Sequence, residues 1–250
     1  MIRLYLVIAL TAFCFYKGLS QSDTIFVYGP GGPYPVIQKI ADNFEKLYNK
    51  KIVVTKGPLK NWKADAIEKA DLIYSGSEDM MSDFMTEFSS VMDNSTIYPL
   101  HYRASGLIVR KGNPKNIKKI QDLQRKGINI MVVKGAGLKG VWEDMLGSLK
   151  NMDAFRDIRS NIIVFAENSG AAEKAWKENT EIDVWISWNI WQKANSANSD
   201  FVRLKEKYTI YRDCGISLTQ KGNKSNTAKQ FYNYLKTKEA FSVFKQMGWQ

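Results

Sequence analysis

Cysteine and histidine are nearly absent: Cys14, Cys214 and His101 are all there is of either type in 250 residues. One histidine excludes a multi-histidine zinc site, and any Ser-His-Asp triad would have to use His101. A lone histidine of this kind reads as structural. Cys14 falls in an N-terminal apolar run. Without that run Cys214 is the single thiol, no intramolecular disulfide can form, and the fold must rest on its core. Cys214 has no identifiable base nearby in sequence and reads as a small buried hydrophobe. No dinucleotide fingerprint is present, because the glycines after the first strand are spaced wrongly for G-x-G-x-x-G. The loop Gly135-Ala136-Gly137-Leu138-Lys139-Gly140 lacks the GK[ST] ending of a phosphate-binding loop. The chain has no short repeat, no low-complexity tract and no long linker.

Charge of one sign is in excess, at net +11, but the lysines are scattered as Lys50-Lys51, Lys118-Lys119, Lys205, Lys207, Lys236 and Lys238. With no basic tract or helical stripe, nucleic acid is not an expected partner. A diffuse positive field draws in small anions and anionic surfaces, or it serves solubility alone.

The one strongly apolar run, Leu4 to Tyr16, is short of the ~20 residues that span a bilayer. Met1-Ile2-Arg3 before it is cationic, and Lys17 to Ser22 after it is small and polar. This is the layout of a signal peptide over residues 1–22, cut after Ser20 or Ser22. Phe13 is too bulky to precede a lipidated Cys14. Loss of Arg3 and Lys17 would lower the net charge from +11 to +9. An exported chain without disulfides fits a bacterial periplasm.

Past the leader, the chain reads as strand, loop, helix, repeated. Thr24 to Tyr28, Lys51 to Thr55, Leu72 to Tyr74, Ala104 to Val109, Ile128 to Val133, Asn161 to Phe165 and Val184 to Ser187 are strand-like. Tyr208 to Tyr211 and Gly215 to Leu218 are extended as well. Helical spacing joins Ile37, Ile40, Ala41, Phe44, Leu47 and Tyr48, and again Phe231, Leu235, Phe241 and Phe244. Asn61 is placed to cap a helix over Ala64, Ile67 and Glu68. The expected class is α/β, with mostly parallel sheets flanked by helices.

Four strands run into small-residue loops that open helices: Gly29-Pro30-Gly31-Gly32-Pro33, Ser75-Gly76-Ser77, Gly135 to Gly140, and Asn168-Ser169-Gly170. In a parallel sheet such loops share the C-terminal edge, where ligands bind. Helix N-termini there offer free N–H groups, and Ser or Asn side chains add donors for an anion. Any α/β protein needs small residues in such turns, so each loop alone is weak and four together are stronger. Arg103 and Arg212 sit at strand boundaries and offer a planar fork for carboxylate or phosphate, or an ordinary salt bridge. Trp185, Trp188 and Trp191 either line a cleft or fill a core.

Taken in order, Tyr28 to Pro33 (YGPGGP), Gly57-Pro58 followed by Trp62, Gly140 to Met145 (GVWEDM), Asn168-Ser169-Gly170, Trp185-Ile186-Ser187-Trp188 and Gly248-Trp249 resemble the accessory colonization factor AcfC family. That group belongs to periplasmic binding proteins of the sulfate and molybdate type and includes a surface-exposed cell-binding antigen. The resemblance implies a two-lobe, type II binding-protein fold. Lobe 1 would hold residues 23–102 and 210–250, and the inserted lobe 2 residues 103–209. It implies a homodimer, and a small anionic ligand such as phosphoglycerate, citrate or an inorganic oxyanion, passed to an ABC permease. The ligand contacts it suggests are Gly29, Pro30, Gly31, Gly32, Trp62, Ser75, Ser77, Arg103, Gly135, Gly137, Lys139, Asn168, Ser169, Gly170, Trp188 and Arg212. No cofactor, metal or catalytic residue is expected. The loop Gly135 to Gly140 departs from the family in lacking extra Ser, Thr and Gly residues, and Lys139 could replace them with a charge. That leaves the ligand open. The rival reading is an adhesin using the basic surface on anionic glycans or lipids; an enzyme on this fold lacks a nucleophile–base pair.

Overall fold

The computed structural model describes residues 24–250, and the expected leader lies outside them. In chain order the elements are β1 (Thr24–Gly29), α1 (Tyr34–Tyr48), β2 (Lys51–Lys56), α2 (Lys63–Lys69), β3 (Leu72–Tyr74), α3 (Glu78–Glu87) and β4 (Tyr98–Arg110). They continue with β5 (Ile130–Val133), α4 (Val141–Gly147), α5 (Met152–Ser160), β6 (Ile162–Ala166), α6 (Ser169–Glu178), β7 (Val184–Trp188) and α7 (Asn189–Ala194). The last are β8 (Ser199–Val202), β9 (Tyr211–Leu218), α8 (Asn226–Tyr234) and α9 (Lys238–Gln246).

The chain folds as two α/β lobes. In the first, β2, β1 and β3 run parallel, because the amphipathic helices α1 and α2 return the chain to the same edge each time. In the second, β6, β5 and β7 are parallel for the same reason. Two long antiparallel strands join them. Tyr98 to Ala104 of β4 pairs with β9, then Ser105 to Val109 pairs with β7. The partner changes between Ala104 and Ser105, so β4 and β9 carry the backbone from lobe to lobe. Each sheet is therefore mixed: β9 lies antiparallel to β3, and β8 is added antiparallel to β4.

Burial follows the spacing in sequence. Val36, Ile37, Ile40, Ala41 and Phe44 form the inward stripe of α1, and Phe44 meets Phe231 of α8 at 5.2 Å, edge on. On the opposite face of the first sheet, Trp62 stacks on Phe88 at 5.6 Å with Phe84 edge-on. Each such side chain, fully buried, contributes about 1.5–3 kcal/mol. Lobe 2 is filled by Trp176, Trp185 and Trp188, all at most 1% exposed. Of the two readings of the tryptophan run, the core is the correct one. His101 packs on Phe241 and Phe244, and burial lowers its pKa. Cys214 is wholly buried, and desolvation pushes its thiol up.

The structure corrects several boundaries. β4 begins at Tyr98, six residues before the strand-like run, since pairing with β9 tolerates the polar stretch that periodicity discounts. Residues 211–218 form one strand. Asn61 lies in a 3-10 turn and caps nothing; α2 starts at Lys63 behind Trp62. The helix α5 and the edge strand β8 are not evident from sequence pattern, one masked by its charged face and the other by its polar length.

Candidate functional site

The four small-residue loops follow the C-terminal ends of parallel strands, two in each lobe: β1 and β3, β5 and β6. α1 is the longest helix among the described residues, and its N-terminus carries no side-chain cap and no acidic residue in the first turn. Pro33 and Pro35 carry no N–H, and Val36 and Ile37 both donate to the Pro33 carbonyl at 3.1 Å, so this helix end offers its partial positive charge and the Tyr34 N–H rather than a set of free donors. Ser77 caps α3 and accepts from the Met80 N–H at 3.1 Å. Asn168 caps α6 and accepts from Ala171 at 3.0 Å, again with no acid in the first turn. α4 differs: Gly140 precedes it without a cap, and Glu143 and Asp144 occupy its first turn, offsetting the helix charge.

The glycines divide into two kinds. A Cβ on Gly29 would stand 2.5 Å from the Tyr74 ring and carbonyl, and one on Gly135 2.4 Å from the Glu167 carbonyl. These two are needed for packing between neighbouring strand ends. Gly31, Gly32 and Gly137 face open space. Gly135 also lies against Asn168, so the two lobe-2 loops are adjacent.

The hinge strands bring the loops together. Arg103 is 1% exposed, donates to the carbonyls of Gly76 and Asp213, and lies between the Trp188 and Trp249 rings at 4.7 and 4.9 Å. Burial lowers its pKa to about 10, so it keeps its charge at neutral pH. Its Nε has no partner. The Trp188 Nε1–H donates to Gly137 at 3.0 Å, and Arg212 Nη2 donates to the Lys139 carbonyl at 2.9 Å. Arg212 therefore ties the hinge to the lobe-2 loop, while its Nη1 is buried and unpartnered.

Beside Arg212 is a cavity of about 330 Å³, walled by Ser77, Glu78 and Asp79 at the start of α3, Pro99 and Tyr102 of β4, and Tyr211, Arg212 and Asp213 of β9. Burial, then the facing Asp213 carboxylate, raise the Glu78 pKa. Among the described residues no group of three His, Cys, Asp or Glu side chains could hold a metal.

Four of the expected contacts lie at buried positions. Trp62 is 2% exposed and its Nε1–H donates to Gly57. Trp188 is 1% exposed, Ser75 is wholly buried with its Oγ accepting from Gly215 N–H, and Arg103 is enclosed as described. The reason is common to all: large rings and hinge polar groups gain more from packing and pairing than from an open wall. Ser77 and Arg212 do reach the cavity. Gly31, Gly32, Gly137, Lys139, Asn168, Ser169 and Gly170 stay open or partly open on the loops, and Pro30 touches the Gly76 position. Lys139 is exposed. Sequence reasoning missed Tyr102, Glu78, Tyr211 and Asp213; the two Tyr-Arg pairs at the strand boundaries were the available signal.

Residues 25–250 match the family described as bacterial extracellular solute-binding protein. No curated protein matches the chain. Among solved structures, L-phospholactate-bound PEB3 is 32% identical and covers 90% of this chain and 99% of its own, with a TM-score of 0.83. Peb3 from Campylobacter jejuni gives the same identity and coverage at 0.81. The sulfate-binding protein SubI from Mycobacterium tuberculosis H37Rv is 18% identical over 90% of this chain and 86% of its own, at 0.69, and shares the fold.

Proposed function

The chain belongs to the bacterial extracellular solute-binding protein family, and from that premise we propose that it captures a small anion between its lobes for uptake. It is a periplasmic binding protein of the type II architecture, related to PEB3. The observation that carries the ligand class is Arg212. It stands where the hinge meets the lobe-2 loop, holds Lys139 with one nitrogen and leaves Nη1 buried without a partner. A buried guanidinium N–H without an acceptor is costly, and a carboxylate or phosphate oxygen relieves that cost. Gly31 and Gly32, open just before α1, supply backbone N–H donors from the other lobe, and the helix start adds its partial charge and the Tyr34 N–H. Ser77, Asn168 and Ser169 add side-chain donors, and Lys139 adds a mobile charge at the rim.

PEB3 has been solved with L-phospholactate bound, and this likeness supports phosphorylated hydroxy acids as the first compounds to try. Citrate, sulfate and molybdate are the second set. Closing of the lobes about β4 and β9 would press the lobe-2 loops onto a ligand held by lobe 1. An ABC permease would receive it, and a homodimer is the expected state, to be read by light scattering.

The test is a thermal-shift panel of phospholactate, 3-phosphoglycerate, citrate, sulfate and molybdate, followed by calorimetry on any hit. Binding lost in Arg212→Ala with folding intact supports the reading. Equal affinity in the variant, or no binding across the panel, would sink it.

A further inference from the structure

Building on the reading of the cleft as an anion site, we infer that its ligand also carries an ammonium group, seated against Glu78, Asp213, Tyr102 and Tyr211 while its anionic end meets Arg212. The cavity of about 330 Å³ is small and suits a metabolite of a few carbons. Its walls are not those of a purely anionic site. Asp213 is 5% exposed and its Oδ2 has no hydrogen-bond partner among the described residues. The Asp213 carboxylate meets the Glu78 carboxyl and feels the buried Arg103 charge, and an ammonium N–H would supply the donor that Oδ2 lacks. Glu78 faces the same carboxylate, so a second negative group arriving there would be repelled. A second observation is independent of the acids. Tyr102 and Tyr211, 58% and 36% exposed, present large aromatic surface to the same space. Tyr211 is anchored by its hydroxyl, which donates to Glu206 at 3.0 Å. Ring faces beside carboxylates favour an organic ammonium by cation–π attraction. A metal ion is not favoured, since no group of three ligating side chains is present among the described residues. Arg212 closes the constellation: both it and Asp213 wall the cavity, and its unpartnered Nη1 and the unpartnered Asp213 Oδ2 offer one donor and one acceptor, the two ends of an amphoteric molecule.

Matched pairs that differ in the amine test this. O-phospho-L-serine is compared with 3-phosphoglycerate, and L-aspartate with L-malate, by calorimetry near neutral pH on the full exported chain. At least one amine is expected to bind about ten-fold tighter than its hydroxyl partner, or more, a step of about 1.4 kcal/mol. Asp213→Asn and Glu78→Gln should bring that ratio to about one. Tyr102→Ala, at an exposed ring, should lower the ratio without endangering the fold. Equal or tighter binding of the hydroxy acids overturns the ammonium site and leaves anion capture standing. A ratio that survives all three substitutions also overturns it. No binding of any of the four compounds overturns this inference, while the anion reading stands or falls with the thermal-shift panel and Arg212→Ala.

Discussion

Arg103 and Arg212 stand opposite each other in the ladder between β4 and β9, yet they belong to different environments. Arg103 is enclosed by two tryptophans and two carbonyls. Arg212 is half-buried, holds the neighbouring lobe by one bond, and keeps one nitrogen free. The same residue type, at paired positions, makes one strut and one side chain with a donor to spare. What separates them is the cover. Trp188 from lobe 2 and Trp249 from the C-terminus close over Arg103, whereas the open cavity lies beside Arg212.

The largest effect should come from the strut. Arg103→Ala empties a ring-lined space and strands two carbonyls, and should cost about 3–5 kcal/mol of stability. Urea denaturation measures this, and a loss under about 1 kcal/mol would place Arg103 with ordinary surface arginines. The glycines extend the contrast between closed and open positions. Gly135→Ala forces a Cβ against the Glu167 carbonyl and should cost about 2–3 kcal/mol, while Gly137→Ala should stay within about 0.5. Similar thermal midpoints for the two variants would erase the distinction.

Arg212→Ala should behave in the opposite way to Arg103→Ala. Stability should fall by less than about 1 kcal/mol, but anion affinity should drop by about 2 kcal/mol, some thirty-fold. Calorimetry beside a urea curve separates the two terms. The smallest effect concerns Glu78, whose folded-state pKa is raised by burial and by Asp213. Between the ordinary carboxylate value and the raised one, the folded chain holds a proton that the unfolded chain has released. Stability therefore declines as pH rises through that window. Glu78→Gln should gain about 0.5 kcal/mol at neutral pH, and the gain should vanish on acidification below the window. A gain that persists in acid would point to packing.

Much of the fold is legible in the sequence because it is local. The stripe of α1 and the apolar runs of β1, β3, β5 and β7 announce themselves by period and composition. The glycine-rich turn at Gly29 to Pro33 does so by backbone chemistry. The stretch from Tyr98 to Arg103 does not, because its strand character comes from pairing with β9, over a hundred residues away. The site divides in the same way. The loops could be found by reading, as could the two arginines. Their roles could not, since Trp62 and Trp188 look alike in sequence whether they line a cleft or fill a core.

By itself, then, the sequence determined the α/β class, the four loops at the strand edges and the dependence on a core without disulfides. Those depend on hydrophobic period, turn chemistry and residue counts, which act over a few neighbours. Tertiary structure alone decided that Arg103 is sealed, that Arg212 is left a free nitrogen, and that Glu78, Tyr102, Tyr211 and Asp213 share one cavity. Burial and cross-strand register depend on what the distant parts of the chain bring to the same place.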